Sequence, residues 1–80
     1  MQDIHITALS NQTATLVDLS QRRLTDKQNH QLSMLMFTVA NQWLNAYKLG
    51  LCTWTVAKSN AVMLDDMSNA IDGAESLGAA

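Results

Sequence analysis

The sequence has no proline, and it has only three glycines and one cysteine in 80 residues. Without proline, nothing forces a helix to end, so long helices are favoured. The single Cys52 cannot form a disulfide within the chain, and no Cys/His cluster offers a structural zinc site. Small chains usually need an aid to stability, and the one that remains is oligomerisation.

Charged residues are also scarce, at 15% of the sequence against 48% apolar residues, which is the reverse of a disordered composition. The net charge is −2, and no basic patch is large enough to indicate nucleic acid as a partner. After residue 64 the chain carries four acids and no base. These acids are unfavourable at the C-terminal end of a helix, unless a basic neighbour compensates them or they lie in a solvated tail.

Signals for catalysis, cofactors and export are weak or missing. His5 and His30 lie on separate segments without an adjacent carboxylate, and no glycine-rich phosphate loop occurs. We therefore expect no enzyme activity, no cofactor and no metal site. The first ten residues have no basic region followed by an apolar core, so we expect a cytoplasmic protein or one exported without a cleavable signal peptide.

The most informative positive feature is the segment from Gln28 to Leu64, which holds only two charges, Lys48 and Lys58, in 37 residues. Its apolar and small residues recur every three or four positions, with a mean spacing of about 3.5, the period of a left-handed coiled coil. A second apolar line runs beside this stripe through Phe37 and Leu44. A helix that is apolar on several faces is normally surrounded by neighbours.

These patterns predict an all-α fold within a single small domain, residues 1–80. We expect a flexible arm over 1–9, a short first helix over about 10–24, a long second helix over about 26–71, and a frayed acidic tail over 73–80. Thr25 and Gln28 match the capping box that begins a helix. The long helix, paired with the first helix in a hairpin and with other chains, is favoured over a three-helix bundle that turns near Lys48–Cys52, because that segment has little turn chemistry beyond one glycine.

The stripe itself is the predicted interface with other chains. Small residues four positions apart alternate with large ones, which lets a neighbouring helix approach closely. The predicted interface residues are Met36, Val39, Trp43, Ala46, Gly50, Trp54, Ala57 and Ala61. A stable membrane span is not expected, because Asn41, Gln42, Asn45 and Lys48 interrupt the apolar run well before the ~20 residues that a span requires.

Residues 54–62, Trp-Thr-Val-Ala-Lys-Ser-Asn-Ala-Val, resemble a stretch near the C-terminus of type III secretion needle subunits. The resemblance covers nine residues of 80. It implies a helix-rich subunit that polymerises into a hollow tube. The chain departs from the family in lacking the proline-containing loop between the helices and in carrying Asp65-Asp66 where the family has lysine-aspartate.

The sequence thus favours a non-enzymatic helical protein that assembles with copies of itself into a homo-oligomer or filament. The alternative is a small adaptor, chaperone or inhibitor, of bacterial or phage origin, that buries the same surface on a different protein. A third hypothesis is a membrane-active protein that uses Trp43, Trp54 and the two lysines.

Overall fold

The computed structural model describes residues 4–79, and it describes side chains from His5 to Ile71. Three α-helices follow one another: α1 over Ile4–Ser20, α2 over Asp26–Lys48 and α3 over Trp54–Ala79. Residues 4–79 contain no strand, so the predicted all-α class is confirmed.

The first helix begins and ends earlier than predicted. Residues 4–9, expected to belong to a flexible arm, are helical, because Ile6 and Leu9 continue the apolar spacing of the helix and pack on the core. The helix ends at Ser20, whose hydroxyl donates to the carbonyl of Val17 at 2.6 Å. Residues 1–3 of the predicted arm lie outside the described residues.

The start of α2 is the prediction that the structure confirms in most detail. The hydroxyl of Thr25 accepts a hydrogen bond from the backbone N–H of Gln28 at 3.1 Å. The side-chain oxygen of Gln28 accepts one in return from the backbone N–H of Thr25 at 2.9 Å. This capping box satisfies two backbone donors that the first helical turn would otherwise leave unpaired.

The prediction of one continuous helix over 26–71 is wrong, because the chain turns at residues 49–53. Gly50 adopts a φ of 77°, a left-handed conformation that glycine reaches without steric cost. Its N–H donates to the carbonyl of Tyr47 at 2.9 Å, and the N–H of Leu51 donates to that of Ala46 at 2.9 Å. These two bonds form a Schellman motif, which ends α2 and satisfies its last carbonyl groups.

The third helix begins immediately after this turn. The hydroxyl of Thr53 accepts a hydrogen bond from the backbone N–H of Val56 at 3.3 Å, which caps α3. The helix continues to Ala79, so the backbone of residues 73–79 is helical where a frayed tail was predicted. Ala80 and the side chains after Ile71 lie outside the described residues.

α2 and α3 form an antiparallel hairpin with a well-defined register. The hydroxyl of Ser68 donates to the carbonyl of Ser33 at 2.9 Å, and both residues are buried. Ser33 and Ser68 lie at equal distances in sequence from the Gly50–Leu51 bond. Ala40 and Ala61, also buried, are likewise equidistant from that bond. Small residues therefore meet along the contact, which allows the two helices to approach closely.

α1 packs on α2 and fixes the remaining side of the core. The indole N–H of Trp43 donates to the hydroxyl of Thr13 at 2.9 Å, and that hydroxyl donates to the carbonyl of Leu9 at 2.7 Å. All three residues are buried. The indole donor is thus satisfied inside an otherwise apolar core, which avoids the cost of an unpaired buried polar group.

Candidate interaction surface

The structure places most of the predicted interface inside the chain's own core. Six of the eight residues are buried within a single chain, and they line the contacts of α2 with α1 and α3. These six are Met36, Val39, Trp43, Ala46, Ala57 and Ala61. Because the fold already covers them almost completely, they cannot supply most of the area of a contact with a second chain. A surface for partners in the folded chain has to be built from other side chains.

The other two predicted residues lie at the turn. Gly50 is exposed, and a Cβ added to it would meet no atom within 4 Å, so it forms no notch for a neighbouring helix. Trp54, the first residue of α3, is 50% exposed. Of the predicted set, therefore, Trp54 is the large apolar side chain that the folded chain leaves accessible.

Many further apolar side chains remain exposed for a protein of this size. A monomeric protein tolerates single exposed apolar residues, but a contiguous patch usually marks an interaction site. Besides Trp54, the large exposed apolar residues are Met34, Leu35, Phe37, Tyr47, Leu49, Val56, Val62 and Met63. Whether they form a patch depends on how the helices place them.

Three of the exposed apolar residues, Phe37, Trp54 and Val62, border one groove between α2 and α3, here called the outer groove. Phe37 on one wall is 54% exposed, and Val62 on the other is 48% exposed. The floor is formed by Ala40 and Ala61, the small residues at the helix contact. The full lining is Phe37, Ala40, Asn41, Leu44, Trp54, Lys58, Ala61, Val62 and Asp65, with a volume of about 390 Å³. No described residue of α1 contributes to it.

The aromatic end of the outer groove is ordered by a contact between its rings. The centroids of Tyr47 and Trp54 lie 5.2 Å apart, with the ring planes tilted by 60°. Tilted aromatic pairs at this distance are favourable beyond their buried area. The contact holds the exposed indole in place before any partner binds, which lowers the entropy that binding would cost.

Two opposite charges stand on the α3 wall of this apolar groove. Lys58 is exposed and Asp65 is half-buried. Neither side chain forms an ion pair within the part of the chain that the structure describes. They are seven positions apart, which is about 10 Å along a helix, so they share one face without being in contact.

The other openings on the surface are more polar. The groove between α1 and α2 exposes Leu35, but its remaining lining includes five polar side chains, Asn11, Gln12, Thr15, Thr38 and Gln42. The cleft between α1 and α3 is lined by Ser10, Thr13, Ala14, Val17, Asp18, Gln21, Asn60 and Met63. The outer groove is therefore the opening with large aromatic and aliphatic side chains on both walls.

The two histidines and the potential metal ligands are not gathered at one place among the described side chains. His5 and His30 are both exposed, and they lie on different helices. From His5 to Ile71, no three His, Cys, Asp or Glu side chains are grouped as metal ligands. Within the described chain, no helix combines the length and the apolar character needed to cross a membrane.

Sequence reasoning noticed part of the outer groove without assigning it a role. Phe37 and Leu44 were visible as a second apolar line, and they do lie together on one wall. Val62 and Asp65 were missed, because their place beside α2 depends on the turn at Gly50. Comparison with known proteins adds no assignment: no family model matches the chain, and neither a curated protein nor a solved structure matches it significantly.

Proposed function

We propose that this chain is a non-enzymatic structural protein that associates with copies of itself through the outer groove. The observation that carries the proposal is the pair of half-exposed walls around Phe37 and Val62, with Trp54 at one end. Covering such side chains removes apolar surface from water, which stabilises the complex by about 25 cal/mol for each Å² buried. The groove takes the role that the sequence assigned to the stripe.

The features around the groove suit association rather than catalysis. Aromatic side chains are enriched at the centre of protein interfaces, where they contribute most of the binding energy. The groove carries few charges, so covering it leaves few ionised groups buried without a partner. Self-association would also add stability to a small chain, whose single core gives only a modest free energy of unfolding.

Light scattering coupled to size-exclusion chromatography tests the proposal. We expect the wild type to show a mass of at least twice the 8.8 kDa of one chain at micromolar concentration. Phe37→Ser should lower that mass toward one chain, because it removes an aromatic side chain from the groove. Leu35→Ser is the matched control: Leu35 is 53% exposed on the same helix but lies in the groove between α1 and α2.

A wild type that stays at 8.8 kDa over the whole concentration range contradicts the proposal. The adaptor or inhibitor hypothesis would then be the one to pursue, with a different protein covering the same groove. Equal loss of mass in Phe37→Ser and Leu35→Ser would also count against it, because the loss would then not be specific to the outer groove.

A further inference from the structure

The charges on the α3 wall indicate what kind of partner fits the groove. Lys58 and Asp65 are opposite in sign, lie on the same face, and flank Ala61 and Val62 symmetrically along the helix. Because these opposite charges are placed symmetrically, this face of α3 is complementary in charge to a second copy of itself that runs in the opposite direction. If two such helices run antiparallel and cross between Ala61 and Val62, each Lys58 meets the Asp65 of the other chain.

We infer that the occupant of the outer groove is a second copy of this chain, docked with its α3 antiparallel to the first α3 around a two-fold axis at Ala61–Val62. The inference rests on the proposed self-association and specifies its geometry. In this arrangement the contact is isologous, since the same patch is used by both copies. It therefore closes as a dimer and pairs the charges of Lys58 and Asp65 twice.

The side chains at the crossing point permit the close approach that this geometry requires. Ala61 is small, so it adds no bulk on the axis, and Val62 beside it presents a half-exposed apolar side chain to its symmetry mate. Phe37 on the α2 wall lies next to the same point and becomes covered by the second hairpin. The apolar contact supplies affinity, while the two charge pairs fix the antiparallel register.

Charge reversal tests the arrangement directly. In Lys58→Asp the introduced aspartate faces Asp65 of the other copy, and in Asp65→Lys the introduced lysine faces Lys58 of the other copy. We expect either single variant to weaken the dimer by roughly 10- to 100-fold, because two attractions become two repulsions. The double variant Lys58→Asp/Asp65→Lys restores opposite charges at both contacts and should recover the wild-type dimer.

Mixing the two single variants gives a sharper readout. One chain then carries aspartate at both positions and the other carries lysine at both, so every contact of a mixed dimer is attractive. We expect sedimentation velocity to show each variant alone as a monomer and the mixture as a one-to-one dimer. Circular dichroism of each variant alone checks that it is folded, and recovery of the dimer on mixing provides the same check independently.

Lys27→Asp and Asp66→Lys are matched controls, because they change the net charge equally at exposed positions that do not line the outer groove. They should leave the dimer unchanged. A wild-type dimer that is insensitive to both single reversals, or equally sensitive to the controls, overturns this geometry while leaving self-association intact. A wild type that never exceeds one chain in mass overturns both proposals.

Discussion

α1 covers one side of the α2–α3 hairpin, and no element of the described chain covers the opposite side. Each of these two sides carries a tryptophan. Trp43 is 1% exposed, and its indole N–H is bonded to Thr13 of α1. Trp54 is 50% exposed and contacts Tyr47 at the end of the outer groove. Tryptophan is thus fully buried on the covered side and half-exposed on the uncovered side.

α1 is the element that completes the covered side of the hairpin. It supplies apolar side chains, such as Leu9 and Leu16, and one hydroxyl to the covered side. The opposite side of the hairpin, around Phe37, receives no equivalent helix from the described chain. A second hairpin is the element that would complete it.

Replacing the two tryptophans should give the largest contrast. Trp43→Ala removes a fully buried side chain and should lower the free energy of unfolding by about 3–5 kcal/mol. That loss is comparable with the whole stability of many small domains, ~5 kcal/mol at the low end. Trp54→Ala should cost much less stability at dilution but reduce association. Urea denaturation followed by circular dichroism measures the first effect, and light scattering measures the second.

The contrast would fail if Trp54→Ala unfolded the dilute protein as readily as Trp43→Ala. In that case both tryptophans would belong to one continuous core, and the distinction between a covered and an uncovered side would be lost. Equal and small effects of both substitutions would contradict the packing of Trp43 against α1.

Removing the hydroxyl on the covered side should have an intermediate effect. Thr13→Val keeps the shape of the side chain but leaves the indole N–H of Trp43 without its acceptor. A buried unsatisfied donor costs about 1–3 kcal/mol. Thr15→Val is the matched control, since Thr15 makes the same kind of bond to a carbonyl four residues earlier but is exposed. Thermal unfolding of the two variants at equal concentration measures the difference.

If Thr13→Val and Thr15→Val unfold at the same temperature, the bond between Thr13 and Trp43 contributes nothing specific. The covered side would then be held by apolar contacts alone.

The smallest expected effect concerns the turn that creates both sides. Gly50→Ala forces a side chain into a left-handed conformation, at a cost of about 1–2 kcal/mol. The cost comes from φ alone, because no atom lies within 4 Å of the added Cβ. Gly50→Asn should cost less, since asparagine tolerates this conformation better. Chemical denaturation of both variants compares them, and an alanine variant as stable as the wild type would argue for the continuous helix.

The capping box shows which features a sequence predicts well. Thr25 and Gln28 are three residues apart, and every atom of the motif belongs to one short segment. Local chemistry therefore determined the start of α2 without reference to the rest of the chain. The spacing of the apolar stripe was equally local, but it was predicted as a contact with other chains, whereas Met36 and Leu64 lie in the core of their own chain.

The turn at Gly50, and the surface that buries the apolar stripe, were harder to predict. A glycine inside a helix costs only about 1 kcal/mol, so Gly50 alone could not decide between a continuous helix and a break. The break is stabilised by distant contacts, such as Ser33 with Ser68, that sequence spacing does not reveal. An apolar stripe also has the same pattern whether it is buried by its own chain or by another. The assignment of Trp54 to an interface stays a prediction.

The most direct test of the two-sided account is fluorescence quenching of single-tryptophan variants as a function of protein concentration. In Trp54→Phe, the remaining Trp43 should be protected from acrylamide at every concentration, because its own chain buries it. In Trp43→Phe, the remaining Trp54 should be accessible in dilute protein and become protected as concentration rises. If Trp54 stays accessible throughout, no second copy covers the outer groove. If Trp43 becomes protected only at high concentration, its own chain does not bury it.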